Sequence, residues 1–228
     1  MNEFEFKNLF ETLTCKEPLR WQERLFHEHF ACADAEKIPR IVDLSTGLGK
    51  TMVMAIWLIA RTVNTALPRR LAYVVDRRAV VDQATDLALK LRENVDRNAD
   101  LKRRLGLETH SLPISTLRGQ HVDNKEWLED PASPAIIVGT VDMIGSRLLF
   151  EGYGTSRKMR PYHAGLLGVD TLVVIDEAHL VPPFERLVAT LADCPNLFGP
   201  GDPSLRTMIP AFKLISLSAT GRTGLSNS

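Results

Sequence analysis

Residues 46–51 are the most chemically informative part of this sequence, because a glycine-rich string there ends in a lysine and a threonine. The string reads Thr46-Gly47-Leu48-Gly49-Lys50-Thr51. An apolar stretch (39–43) precedes it and a helical pattern (50–63) follows it, so we expect a strand, a tight loop and a helix N-terminus. Glycines let the main chain turn closely, and the unpaired N–H groups of a helix N-terminus attract anions. The sequence therefore predicts a phosphate-binding loop.

A second group of reactive side chains, Asp176-Glu177-Ala178-His179, directly follows an unbroken apolar run, 171–175. Such a run is typical of a parallel strand that is buried on both faces. A strand end of this kind brings its carboxylates to the edge of the sheet where α/β proteins bind ligands. We therefore expect Asp176 and Glu177 to lie near the phosphate loop.

Together these residues match the needs of phosphoryl transfer, in which phosphate charge is neutralised and a water is aligned for attack. Lys50 would contact the β- and γ-phosphates of ATP, while Thr51 and Asp176 would hold Mg²⁺ directly or through water. Glu177 is the candidate base that orients or deprotonates the attacking water. The alternative is a glycine turn and a pair of carboxylates that merely cap a helix.

Composition limits the possible classes. The chain has 228 residues, 44% apolar and 25% charged, which is enough for one large α/β domain. Lys plus Arg equals Asp plus Glu at 28 each, so no net field attracts nucleic acid, and such binding requires local clusters. The three cysteines are scattered, and the longest apolar run, 52–60, is about half a membrane span. We expect a cytoplasmic protein without a membrane anchor.

Strand and helix patterns alternate along the chain and predict a doubly wound, mostly parallel sheet flanked by helices. Five or six strands are expected. Residues 1–16 should form an N-terminal docking helix, and 17–225 one domain. The predicted strands are 39–43, 71–75, 112–117, 135–138, 171–175 and 212–217, and the main helices are 4–13, 19–33, 50–63, 76–94, 98–106 and 184–192.

Two arginines, Arg77 and Arg78, fall in the first turn of the helix that we expect to begin with Asp76 as its N-cap. The helix dipole disfavours positive charge there, and a bound phosphate backbone would remove the penalty. We expect nucleic-acid contact, against the alternative of a solvated pair.

Thr140 follows a predicted strand and should cap the next helix, where its hydroxyl could also contact a phosphate oxygen. The charged stretch 151–163 is interpreted as a solvated face, and its role is left open.

The order of these motifs resembles the first RecA-like domain of a superfamily 2, DEAH-type helicase. The resemblance covers nearly the whole chain and includes the shortened T-G-x-G-K-T loop, although the full phosphate-loop pattern has a glycine where this chain has Leu44. It implies a RecA-like P-loop NTPase fold. Its motifs are Gln22, residues 46–51, Arg77-Arg78, Gly139-Thr140, Asp176-Glu177-Ala178-His179 and Ser218-Ala219-Thr220.

The resemblance also implies roles for individual residues. The Gln22 amide would pair with the adenine edge, the alternative being a surface glutamine. Gly139 and Thr140 would contact the tracked strand. His179 would link the nucleotide site to Ser218, Ala219 and Thr220, which couple nucleotide state to strand movement.

The wording of 71–78, 137–143 and 176–180 is similar to the helicase of the CRISPR-associated type I (I-G like) helicase and nuclease. This likeness implies single-stranded DNA, a guide-RNA surveillance complex and an HD nuclease as partners. No His-Asp dipeptide occurs, so the nuclease domain is expected elsewhere. A second RecA-like domain would supply arginine fingers, so we expect this chain alone to bind ATP but hydrolyse it poorly. The alternatives are a restriction-type DNA motor and a non-catalytic nucleotide-binding or docking module.

Overall fold

The computed structural model describes residues 1–32, 37–118, 121–122, 125–198, 202–208 and 212–219. A π-helical segment, Leu25–Phe30, continues α2, and 3-10 turns cover Lys50–Met52 and Ala178–Leu180. The strands are β1 (Ile41–Asp43), β2 (Arg70–Val75), β3 (Ile114–Arg118), β4 (His121–Val122), β5 (Ala135–Thr140), β6 (Thr171–Ile175) and β7 (Lys213–Ser218). The helices are α1 (Glu3–Thr14), α2 (Arg20–Arg24), α3 (Val53–Arg61), α4 (Arg78–Asp96), α5 (Ala99–Leu105), α6 (Glu126–Glu129), α7 (Val141–Leu148), α8 (Arg160–Gly168), α9 (Pro182–Asp193), α10 (Pro195–Phe198) and α11 (Pro203–Met208).

The described strands form one sheet in the order β1-β7-β6-β2-β5-β3-β4. Every neighbouring pair is parallel except β3 and β4, which are antiparallel. The predicted doubly wound, mostly parallel sheet is therefore confirmed, and all six predicted strands are present. The sequence did not indicate β4, because a two-residue strand leaves no alternation to detect.

Hydrophobic cores lie on both faces of this sheet. Helices α1 to α5 cover one face, which we call the α3 face, and α6 to α9 cover the other, which we call the α7 face. Successive residues of β2 alternate between them: Leu71, Tyr73 and Val75 pack toward the α3 face, and Ala72 and Val74 toward the α7 face. Covering both faces explains why the central strands read as unbroken apolar runs.

The predicted N-terminal helix is present as α1, and it packs into the core of the α3 face. Asn2 caps it, accepting from the Glu5 backbone N–H while the Glu5 carboxylate accepts from Asn2 N–H. The rings of Phe6 and Phe26 stack at 4.2 Å. The division of the chain at residue 16 stays a prediction.

One capping prediction is wrong. Arg77, not Asp76, is the N-cap residue of α4, with φ −122° and ψ 140° and no side-chain cap bond. The Asp76 carboxylate instead pairs with Arg77 Nε at 3.2 Å. Carboxylate and guanidinium are adjacent and opposite in charge, so their attraction draws Asp76 away from the helix N–H groups. The first turn of α4 contains no acidic residue.

Three further properties of the described ranges bear on function. None of their helices is long and apolar enough to cross a membrane. They contain no group of three or more His, Cys, Asp or Glu side chains arranged to hold a metal. Cys15, Cys32 and Cys194 are free thiols.

Candidate functional site

The glycine loop joins β1 to α3 through the 3-10 turn. Gly47 and Gly49 have φ of 83° and 67°, a left-handed conformation that side chains disfavour. A Cβ at Gly47 would meet nothing within 4 Å, so the protein's own packing does not require glycine there. Thr46 and Gly47 are exposed, and Leu48 is half-buried. The loop therefore presents backbone to solvent in a conformation that glycine permits.

Leu44 occupies the position where the general phosphate-loop pattern has its first glycine. Its side chain is 1% exposed and belongs to the core of the α3 face. Its backbone N–H donates to the Ser218 carbonyl at 2.8 Å, which extends the pairing of β1 with β7 by one residue. A packed leucine thus anchors the start of the loop.

Lys50 and Glu177, two of the predicted catalytic residues, contact each other. Lys50 Nζ lies 2.6 Å from Glu177 Oε1, and their side chains are 7% and 27% exposed. Glu177 has φ 50°, a left-handed conformation that costs a non-glycine residue about 1–2 kcal/mol. This conformation turns the chain from β6 into the 3-10 turn and directs the carboxylate to Lys50. The charge of Lys50 is therefore balanced within the protein.

Tyr73 contacts one of the two predicted metal ligands. Its hydroxyl donates to Asp176 Oδ2 at 2.8 Å, and the nearby Thr51 side chain acts to lower the pKa of the phenol. Burial raises the pKa of Asp176, and the Tyr73 hydrogen bond opposes that rise. Burial also raises the pKa of Tyr73 well above its usual value, so the phenol stays protonated.

The other Asp176 oxygen is unusual, because Oδ1 is buried without a hydrogen-bond partner in the described chain. An unmatched carboxylate oxygen with a threonine hydroxyl close by is a donor set that suits a hard cation such as Mg²⁺. Thr51 and Asp176 are thus compatible with the predicted metal role.

Gln22 lies against the glycine loop, and the surface alternative is wrong because the residue is only 2% exposed. Its Oε1 accepts from Leu19 N–H at 2.8 Å, and a Cβ built on Gly49 would lie 3.5 Å from its Nε2. The neighbouring Trp21 donates from Nε1 to the Leu48 carbonyl at 3.0 Å. The turn that carries Gln22 is therefore bonded to the loop.

The predicted coupling residues lie near this site. His179 Nδ1 is 3.5 Å from Glu177 Oε2 but has no hydrogen-bond partner among the described residues, and its 3-10 turn packs against β7. Ser218 is buried at the end of β7, Ala219 is exposed, and Thr220 lies outside the described residues. A role of these residues in coupling stays a prediction.

Residues predicted to contact nucleic acid have different environments. Arg77 and Arg78 are exposed at the start of α4. Thr140 caps α7, accepting from Met143 N–H at 3.4 Å, so the predicted cap is confirmed.

Gly139, in contrast, is buried within β5. A Cβ there would lie 3.0 Å from Ile144 Cγ1 and 3.1 Å from Leu117 Cβ. Glycine at this position therefore serves the close packing of α7 on the sheet, and the structure lends no support to its predicted contact with a nucleic acid.

Comparison with known proteins identifies the family. Residues 16–221 match the family model described as "Type III restriction enzyme, res subunit". The chain belongs to this family. No curated protein matches the sequence significantly.

Solved helicase structures share the fold of this ResIII-family chain. The DEAD-box helicase Mss116 bound to ssRNA and UDP-BeF is 16% identical with a TM-score of 0.57, and the match covers 94% of this chain and 38% of that one. A variant of S. cerevisiae dbp5 bound to a gle1 variant and ip6 is 14% identical with a TM-score of 0.55, covering 97% and 47%. Mss116p with its NTE and C-tail deleted, bound to ssRNA and AMP-PNP, is 16% identical with a TM-score of 0.56, covering 97% and 39%.

At these identities the likeness establishes the fold alone, which is that of a RecA-like domain of superfamily 2 helicases. The ResIII-family chain spans less than half the length of each of these three structures. In it, Lys50, Thr51, Asp176 and Glu177 converge at one edge of the sheet. Sequence reasoning did not identify Tyr73 or Trp21, because one reads as an ordinary strand residue and the other as a core aromatic.

Proposed function

We propose that this chain is the ATP-binding half of an ATP-dependent DNA translocase. The observation that carries the proposal is one set of contacts at the edge of the sheet. Lys50 pairs with Glu177 at 2.6 Å, and Tyr73 donates to Asp176, whose second carboxylate oxygen has no hydrogen-bond partner in the described chain. These contacts support binding and hydrolysis of a nucleoside triphosphate better than any purely structural role.

In this proposal each residue has a defined task. Lys50 and the loop N–H groups hold the phosphate oxygens, and Glu177 accepts the proton of the attacking water. Thr51 and Asp176 would hold Mg²⁺, which when bound neutralises phosphate charge. Tyr73 fixes the orientation of the Asp176 carboxylate and keeps Oδ1 directed into the site.

The Lys50–Glu177 pair gives the site a resting state. A phosphate that enters the loop competes with the Glu177 carboxylate for Lys50, because both are anions seeking the same ammonium group. Binding therefore releases Glu177 from the ion pair and makes its carboxylate available as a base. In this way the base becomes free only when a substrate is present.

Two further parts complete the proposed motor. A second RecA-like half would contribute arginines to the γ-phosphate, and such fingers are worth roughly 10³- to 10⁵-fold in rate. We therefore expect the isolated chain to bind ATP and hydrolyse it slowly. Arg77, Arg78 and the Thr140 hydroxyl are our candidates for the contact with the tracked single strand, in a cytoplasmic setting.

The finer assignment is a role in type I CRISPR interference, with a guide-RNA complex and an HD nuclease as partners. It rests on the similar wording of 71–78, 137–143 and 176–180. The family match to the type III restriction enzyme res subunit favours the second candidate, a restriction-type DNA motor. The genes adjacent to this one would distinguish the two settings.

The experiment that tests the proposal measures Mg-ATP affinity and ATP turnover, with and without single-stranded DNA, beside Lys50→Ala and Glu177→Gln. A second RecA-like half is added in trans. We expect Lys50→Ala to weaken ATP binding about 10- to 100-fold, through loss of a charge-assisted contact. Glu177→Gln should retain binding and lose turnover by about 10²- to 10⁴-fold.

The choice between DNA and RNA is tested in a separate set of measurements, because the Mss116 structures contain ssRNA. Single-stranded DNA and RNA of one sequence are compared, and Arg77→Ala should reduce the salt dependence of binding by about one phosphate contact. A wild-type chain that binds no nucleotide, with turnover insensitive to Glu177, would instead support the non-catalytic docking module.

A further inference from the structure

A cavity of about 200 Å³ lies on the α7 face, away from the glycine loop. Helices α6, α7 and α8 and the segment 149–159 surround it, and its polar lining consists of Lys125, Trp127, Arg147, Thr155, Ser156 and His163. We propose that this cavity is a binding site for a small oxyanion of the phosphate class, separate from the ATP site. We call it the Arg147 cavity.

Arg147 is the main reason for the proposal. Its side chain is 1% exposed, and it donates from Nη1 to the Met143 carbonyl at 2.9 Å and from Nη2 to the Tyr153 carbonyl at 3.2 Å. Its Nε is buried without a hydrogen-bond partner, and no carboxylate forms an ion pair with it among the described residues. A buried charge without a counter-charge is costly unless a ligand supplies one.

Two other buried donors belong to side chains that line the same cavity. Trp127 Nε1 and His163 Nδ1 are buried and have no hydrogen-bond partner within the described chain. Their rings meet edge to face with centroids 5.3 Å apart. Burial, with the charges of Arg147 and Lys125, lowers the pKa of His163 to about 4. The ring is therefore neutral at pH 7 and can carry its proton on Nδ1 as a donor.

The electrostatics of the lining select an anion. Arg147 and Lys125 are cationic, Thr155 and Ser156 offer hydroxyls, and no described residue of the lining is acidic. Three helices therefore contribute side chains that carry donors, and the described lining contains no carboxylate. A tetrahedral oxyanion presents oxygens in several directions, which matches donors on different elements better than a planar carboxylate does.

The size of the cavity narrows the ligand further. Sites for drug-sized molecules and cofactors occupy roughly 300–1,000 Å³, so a cavity of about 200 Å³ is small for a whole nucleotide. It can accept a free phosphate ion or the terminal phosphate of a larger molecule. These two sources share the chemistry that the lining recognises.

The segment 149–159 is folded to close over Arg147. A Cβ at Gly152 would lie 2.9 Å from Arg147 Cγ and 2.9 Å from Thr155 Oγ1, so only glycine allows this approach. Gly152 thereby lies between the stem of Arg147 and the side chain of Thr155. Arg157 and Lys158, exposed in the same segment, add positive charge beside it.

The indole groups allow a direct test, because the three tryptophans report on three places. Trp127 lines the Arg147 cavity, Trp21 Nε1 bonds the glycine loop, and Trp57 Nε1 bonds the Pro68 carbonyl in the core. In a ¹H–¹⁵N spectrum of the whole chain, inorganic phosphate titrated at constant ionic strength should move the Trp127 signal and leave Trp57 unchanged. A phosphate bound at the loop would move Trp21 instead.

The Lys50→Ala variant separates this proposal from the proposed ATP function. It should abolish any response of Trp21 and leave the Trp127 response unchanged. A Trp127 signal that does not move in either protein, up to about 50 mM phosphate, a concentration far above the typical KM range, overturns the site. Loss of the Trp21 response alone would concern only the ATP site.

Variants identify the donors through a second measurement, the melting temperature of Lys50→Ala with and without phosphate. The phosphate-induced rise should be lost in Arg147→Met and in His163→Phe. Arg61→Met is the matched control, because Arg61 donates to the Thr65 and Leu67 carbonyls outside the cavity and should retain the rise. An equal rise in all three variants would mean that Arg147 only ties α7 to the segment, which overturns the proposal.

Oligonucleotides then distinguish the two sources of phosphate. A 5′-phosphorylated dinucleotide is compared with inorganic phosphate and with its 5′-hydroxyl counterpart. If the phosphorylated form moves the Trp127 signal at lower concentration than inorganic phosphate, and the hydroxyl form does not move it, a nucleic-acid end is the source. A response to inorganic phosphate alone identifies the free ion. Either result supports an oxyanion site, and no response to any of the three overturns it.

Discussion

The edge of the sheet that contains Lys50 and Glu177 differs from the Arg147 cavity in how its buried positive charge is compensated. At the edge, the Lys50 ammonium is balanced by the Glu177 carboxylate 2.6 Å away. In the cavity, the Arg147 guanidinium has carbonyl partners but no ion pair in the described chain. In our proposals the first site exchanges one anion for another when its ligand binds, whereas the second only gains an anion. A site whose positive charge already has a partner is suited to releasing its ligand after each turnover. A site whose positive charge has no partner is suited to retaining an anion.

The largest expected effect comes from removing the negative charge that pairs with Lys50. Glu177→Gln leaves Lys50, 7% exposed, without its counter-charge, and loss of one partner of a buried pair costs about 3 kcal/mol or more. We expect a lower free energy of unfolding by urea and a compensating gain from added ATP. The Lys50→Met/Glu177→Gln double variant, which has neither charge, should recover most of the loss. If it does not, the ion pair does not stabilise the resting site.

The converse change adds a negative charge to the Arg147 cavity. Thr155→Asp places a carboxylate in the lining that contains Arg147, and we expect about 1.5 kcal/mol of added stability from a charge-assisted hydrogen bond. Phosphate should then no longer raise the melting temperature. Thr155→Asn, which has the same shape without the charge, should show neither effect. Equal behaviour of the two variants would contradict the idea that Arg147 lacks a counter-charge.

A smaller effect tests Asp176 at the edge. Burial raises its pKa, so the folded chain binds this proton more tightly than the unfolded chain. The resulting stability is present at pH below the ordinary Asp pKa and is lost as pH rises through the raised value. At pH 7 without metal, Asp176→Asn should therefore raise the melting temperature by about 2–4 °C, or ~1 kcal/mol. The difference should vanish near pH 4, and one that is independent of pH would exclude this origin.

An effect of similar size concerns Tyr73. Tyr73→Phe removes the hydrogen bond to Asp176 and should cost about 0.5–1.5 kcal/mol. Because that bond holds the pKa of Asp176 down, the pKa should rise further, as ¹³C NMR of the carboxyl carbon would detect. Tyr153→Phe, at a residue 61% exposed, is the control. An unchanged Asp176 titration in Tyr73→Phe would remove Tyr73 from the site.

The fold was predictable in those segments where a single sequence pattern, such as an unbroken apolar run, determines the element. The run 171–175 was predicted to the residue, because a strand buried on both faces leaves no polar interruption. Helices α6, α8, α10 and α11 were not predicted, because α6, α10 and α11 are short and α8 begins within the charged stretch 151–163, which reads as a loop. The predicted helix 19–33 is α-helical only over Arg20–Arg24 and then π-helical, a change that no periodicity signals.

Some residues of the candidate site were predictable from the sequence and others were not. Lys50 and Glu177 were predictable because their chemistry is local to a loop and a strand end. Tyr73 was not, since a tyrosine in a strand is ordinary until Asp176 is seen beside it. Arg147 was not predicted either, because an arginine on a helix usually faces solvent, and only the fold of 149–159 over it shows that it is buried.

The placement of β1 has a consequence for how the protein is made. Within the described sheet β1 has one neighbour, β7, and the residues they pair are about 175 positions apart in the chain, as in Ile41 with Ser216. Contacts between such distant residues form late, after the entropy of closing a long loop has been overcome. During synthesis the glycine loop therefore has no strand to anchor it until β7 has been made. The helices of the α3 face and the strands from β2 to β6 can assemble first, and the ability to bind a phosphate is acquired last.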